Sequence, residues 1–122
     1  MLDITAIRDA GDLSGERIVM RALLDGPIGS FVLLRSKAGS DGTSPLSGKK
    51  DAYWFPDKTV KEGDLIVLYT KTGKSSSKPL TDGRTSYFYY WHLKEAVWQE
   101  EKNNLAVIGR FNGWTAVSPA SL

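Results

Sequence analysis

At 122 residues, 41% hydrophobic and 25% charged, the chain has the length and composition of one ordinary globular domain, neither disordered nor fibrous. It has no cysteine, which excludes disulfides, thiolate metal sites and thiol nucleophiles. Its net charge of +2, from 16 Lys and Arg against 14 Asp and Glu, lacks the concentrated basic stripe usual in nucleic-acid binders.

The first run, Leu2 to Arg8, alternates apolar Leu2, Ile4 and Ala6 with Asp3 and Thr5, then breaks at Ile7. No basic start followed by an apolar run opens the chain, so no secretory signal is expected. No apolar stretch approaches the ~20 residues that span a bilayer, so no membrane is expected as partner, and a start at Met1 implies a cytoplasmic protein. Gly11 and Ser14-Gly15 mark a turn. Glu16 to Leu24 then sets Ile18, Met20, Ala22 and Leu24 opposite Arg17, Val19, Arg21 and Leu23, the period of a half-buried strand. Asp25-Gly26-Pro27 turns the chain, and Phe31 to Arg35, apolar on both sides, predicts a central strand.

Residues 36–51 are small and polar and read as a long exposed loop. Ala52 to Phe55 is a short aromatic strand stopped by Pro56. Leu65 to Tyr69, LIVLY, is the most hydrophobic strand candidate and belongs at a sheet centre. Lys71 to Arg84 reads as a second polar loop, and Thr85 to His92 as an aromatic strand. Leu93, Ala96 and Val97 have helical spacing, which predicts a short helical segment near 93–102. Leu105 to Phe111 is a further strand, Asn112-Gly113 a hairpin turn, and Trp114 to Val117 a closing strand. The sum is a single all-β domain over 1–122, with about seven or eight short strands arranged as a sandwich or barrel.

Catalytic chemistry finds little support. His92 is the single histidine, and a zinc site built almost wholly from carboxylates is unusual. No Gly-x-Ser-x-Gly elbow surrounds a serine. Lys71 to Ser77, KTGKSSS, resembles the end of a phosphate loop, but Leu68 stands where that loop requires glycine. The carboxylate pairs Asp12 with Glu16, Glu62 with Asp64, and Glu100 with Glu101 read as solvated surface charge. No cofactor, metal site or catalytic residue is expected, and a small hydrolase is the least favoured function. The aromatic strand is more suggestive. Tyr87, Tyr89 and Trp91 share one face, which is either core or an exposed platform flanked by Lys74, Lys78 and Arg84 that stacks a sugar or a base.

In order along the chain, these pieces resemble the lamin tail domain, an immunoglobulin-like β-sandwich. That family opens with a Gly-Glu-aromatic-Val-Glu strand, and Gly15-Glu16-Arg17-Ile18-Val19-Met20 stands at that place. Tyr53-Trp54-Phe55-Pro56, then Lys61-Glu62-Gly63-Asp64 and Leu65 to Tyr69, is similar to its middle segment. Trp98, Leu105 to Ile108 and Asn112-Gly113-Trp114 are similar to its final part. The resemblance implies an immunoglobulin-like sandwich and a non-enzymatic module that binds a protein partner or itself. Carbohydrate or nucleic acid is the alternative ligand. A short self-contained module of this kind suits a bacterial or phage accessory protein.

Overall fold

The computed structural model describes residues 1–48 and 50–121; Lys49, within the expected 36–51 loop, and Leu122 lie outside the described residues. The regular structure is nearly all strand: β1 (Leu2–Arg8), β2 (Arg17–Ala22), β3 (Gly26–Pro27), β4 (Phe31–Lys37), β5 (Asp51–Trp54), β6 (Thr59–Val60), β7 (Leu65–Tyr69), β8 (Ser76–Pro79), β9 (Thr85–Tyr90) and β10 (Asn104–Arg110). One sheet has the order β1-β2-β7-β9-β8, a second the order β10-β4-β5, and β3 pairs with β6 as a small ribbon. Among the described residues, no helix is long and apolar enough to cross a membrane.

Side-chain alternation decides which residues fill the space between the sheets. Ile18, Met20 and Ala22 of β2 and Ile66 and Leu68 of β7 meet Phe31 and Leu33 of β4 in one buried cluster that also takes in Phe55 and Tyr89. LIVLY sits at the middle of its sheet, and Val67 on its other side is buried as well. The Phe31 strand is central in the second sheet, as its two apolar sides require. In β1 the register slips between Ile4 and Ala6, which is why the alternation fails at Ile7.

Three expectations are corrected. Lys71 to Arg84 is not all loop: Ser76–Pro79 forms the edge strand β8, antiparallel to β9. Its lysine and proline suit an edge, where an unpaired side faces solvent. Among the described residues no strand follows β10, and Trp114 to Val117 does not close a sheet. The helical segment shrinks to one 3-10 turn, Glu100–Lys102.

The last correction has a single cause, Glu16. Its side chain is fully buried, not solvated. Oε1 accepts the N–H groups of Gly11 (2.9 Å) and Trp98 (3.0 Å), while Oε2 accepts the N–H of Val97 (2.9 Å) and the hydroxyl of Thr70 (2.5 Å). A helix over 93–102 would send the Val97 and Trp98 N–H groups back to the carbonyls of Leu93 and Lys94. Glu16 takes them instead, and Ala96, Val97 and Trp98 are buried against the core. Asn104 Nδ2 donates to Val97 O (2.8 Å) and Lys102 Nζ to Ala96 O (2.8 Å), so the segment is held from both sides.

Asp64 is a second buried carboxylate. It closes the turn before β7 by accepting the Lys61 N–H (2.9 Å) and ties that turn to β9 through the Thr85 N–H (2.9 Å).

Glu16→Ala strands the Val97 and Trp98 N–H groups and the Thr70 hydroxyl in the interior, so we expect a loss of about 3 kcal/mol or more in urea unfolding. Thr70→Val removes a single donor and should cost about 1 kcal/mol.

Candidate functional site

The exposed aromatic surface lies where β5 ends. Tyr53 and Phe55 turn inward, so strand alternation turns Trp54 outward. Trp54 Nε1 donates to Gly29 O at 2.6 Å, which fixes the plane of its ring. Gly29 lies against Asp57, and a Cβ there would sit 3.1 Å from the Asp57 Cα, so only glycine brings its carbonyl this close. Beyond β10, Phe111 donates its backbone N–H to Ser30 O (2.7 Å), and the chain continues so that Trp114 reaches Trp54.

The three rings form one continuous surface. Trp54 meets Phe111 and Trp114 at centroid distances of 5.3 Å, both edge to face. They remain 47%, 37% and 60% exposed respectively. Together with Pro27, Pro56 and Asp57 they line a groove of about 680 Å³. Two rings that clamp a flat ligand or a cation between them must stand ~7 Å apart, twice an ordinary contact distance. At 5.3 Å these rings touch each other, so they offer outer faces for stacking rather than a slot.

The residues expected to carry binding are placed elsewhere. Tyr89 is buried, 5% exposed, and packs on Phe55 (5.8 Å between centroids) and Tyr53 (6.4 Å). Tyr87 and Trp91 are half-buried against the same core, Trp91 beside Trp98 (6.3 Å) and Tyr87 beneath the Lys58 ammonium (5.6 Å). That face is therefore core and not an exposed platform. Lys74 and Lys78 are exposed, Lys78 on the edge strand β8, and half-buried Arg84 is paired with Asp82 (2.7 Å). The structure does not gather these six residues into one surface.

The aromatic rings on the opposite face of β9 are half-buried. Tyr90 stacks on Tyr69 (5.2 Å, 10° between planes), the Gly73 backbone lies against the Tyr90 ring, and Lys71 and Arg17 cap Tyr69 at 5.1 and 5.9 Å. His92 is exposed with a left-handed backbone (φ 62°), just past the end of β9. Among the described residues, no group of three or more histidine, aspartate or glutamate side chains could hold a metal ion.

The chain matches no protein-family model and none of the curated proteins.

Burial holds the Tyr89 phenol neutral up to about pH 12, with Tyr53 and Tyr87 adding to the effect, and burial raises Tyr53 as well. The contribution of Tyr89 to stability is present in full below the ordinary tyrosine value of about 10 and is lost as pH rises through about 12. An absorbance titration should show one tyrosine ionising near pH 12, with stability falling between about pH 10 and that value. If every tyrosine ionises together near the ordinary value, the Tyr87, Tyr89, Trp91 face is not core.

Proposed function

We propose that this chain is a non-catalytic interaction module, an immunoglobulin-like sandwich of the lamin-tail kind, whose groove at Trp54, Phe111 and Trp114 holds a segment of a protein partner. The observation that carries the reading is the exposure of three touching aromatic rings on a rigid sheet end. Large apolar rings left open to water are costly unless a partner covers them, and tryptophan is prominent among residues that dominate binding energy. The groove is shallow and apolar with a polar rim, which suits an extended polypeptide.

Several observations support the non-catalytic part. The buried carboxylates Glu16 and Asp64 are engaged by hydrogen-bond donors of the fold, which leaves neither oriented toward a substrate. His92 is solvent-exposed, with a left-handed backbone past the end of β9. The lamin-tail reading draws support from the places its residues take. Glu16 of the Gly-Glu strand is the central hydrogen-bond acceptor, Trp98 is buried in the core, and Phe55-Pro56 turns the chain into the groove.

A carbohydrate is the second reading, favoured by Asp57 and Asn112 in the lining beside the ring faces, a pairing that serves sugar hydroxyls and C–H surfaces. Asp57 also disfavours a phosphate backbone in the groove.

The test is a peptide-display selection on the wild-type chain with Trp114→Ala as counter-selection, run beside a glycan array. Trp114 is largely exposed, so its replacement should leave the urea midpoint unchanged while weakening selected peptides about tenfold or more. Hits confined to glycans replace the protein partner with a sugar. No Trp114-dependent ligand of either class overturns the groove as the binding site.

A further inference from the structure

The groove opens at the end of an uncovered sheet edge. Among the described residues, β5 pairs with β4 alone and no strand pairs with its other side. In the antiparallel register, Asp51, Tyr53 and Phe55 lie opposite Arg35, Leu33 and Phe31, and Phe55 donates its N–H to Phe31 O (3.2 Å). Hydrogen bonding alternates along such a strand, so the N–H and C=O groups of Ala52 and Trp54 point away from β4. Both residues are exposed.

The far end of the same edge has a different character. Arg35, Lys37, Lys50, Asp51 and Asn104 line a hollow of about 280 Å³. Three cations face one carboxylate there, and Asp51 is taken by Arg35. Lys37 donates to Lys102 O (2.9 Å) and Lys50 to Leu46 O, so among the described residues neither lysine is paired with a carboxylate. Arg35 and Asp51 share one face of the second sheet, while Trp54, three residues along, is on the other. Side chains of an added strand alternate in the same way, so positions three apart enter opposite faces.

We propose that the β5 edge is a strand-addition site. An extended segment of a partner protein pairs with the backbone of Ala52 and Trp54, sets an acidic side chain in the Arg35–Lys37–Lys50 hollow, and three residues away lays a bulky apolar side chain on the Trp54–Phe111–Trp114 groove. The proposal rests on the reading of the groove as a protein-binding surface and adds to it the partner's conformation, charge and spacing. Backbone pairing supplies affinity that any extended chain could use, and the two side-chain sites supply selection. The positive hollow also makes binding salt-dependent.

The probe is a short blocked peptide of alternating threonine and valine carrying one glutamate and, three residues on, one tryptophan. Binding to the full chain is followed by calorimetry and by hydrogen exchange of individual backbone amides. We expect the Ala52 and Trp54 amides to slow at least about tenfold at saturation. Moving the tryptophan to four residues from the glutamate puts both on one face and should weaken binding at least about fivefold. Exchanging the glutamate for lysine, or Lys50→Glu in the protein, should do the same.

A peptide whose binding needs Trp114 but leaves both edge amides unprotected overturns strand addition while the groove stands as a binding surface. Edge protection in the free protein that rises with its concentration assigns the edge to a second copy of this chain and overturns the proposal. So does failure of the probe to bind at millimolar concentration.

Discussion

One buried carboxylate joins parts of the chain that are otherwise far apart in sequence. Glu16 stands just before β2, yet its oxygens collect donors from the first turn at Gly11, from Thr70 after β7, and from Val97 and Trp98 in the late connection. Its backbone takes part as well, since Glu16 O accepts the Thr70 N–H (3.2 Å) and Glu16 N–H donates to Asp12 O (2.6 Å). A carboxylate in a protein interior is tolerated when its lone pairs are met by donors, and here four are. The arrangement ties β2 to the end of β7 and fastens the 96–98 segment over the same edge of the core. Trp98 is thereby positioned against Trp91, and the inward face of β9 is closed.

The closed core is what leaves another set of rings exposed. Tyr53, Phe55, Tyr89 and Trp91 fill the interior, and the strict alternation of β5 leaves Trp54 no place among them. Trp54 is then steadied by the Gly29 carbonyl and by Phe111 and Trp114, so its exposure is a consequence of order and not of looseness. The surface is built from three stretches of sequence, Pro27 to Ser30, Trp54 to Asp57 and Phe111 to Trp114, the last two more than fifty residues apart.

Much of the sheet framework is legible in the sequence, because periods of two report directly on burial. Ile18, Met20 and Ala22, the LIVLY run and the Phe31 strand are all where their patterns put them. The failures have a common origin in long-range partners. Leu93, Ala96 and Val97 have helical spacing, and nothing near them announces that Glu16 will claim their backbone donors. Ser76–Pro79 is polar enough to read as loop, and becomes a strand only because β9 offers it an edge. The exposed aromatic surface is hidden for the same reason. Two aromatic faces on β9 and one lone Trp54 on β5 compete for the interior, and alternation says that one side is buried without saying which. Trp114 carries even less signal, since Asn112-Gly113 has the sequence of a hairpin turn and predicts a strand over the tryptophan.

The order of strands in the larger sheet also bears on how the chain assembles. β9 runs parallel to β7 and sits between it and β8, although β8 precedes it in the chain. β8 and β9 are joined by a short turn at residues 80–84 and can pair early as a local hairpin. β7 cannot complete its pairing until that hairpin arrives, because β2 covers only one of its sides. During synthesis the most hydrophobic strand in the protein is therefore left with an open edge until the chain has been made through Tyr90. That interval is when the sequence is most exposed to pairing with the wrong neighbour.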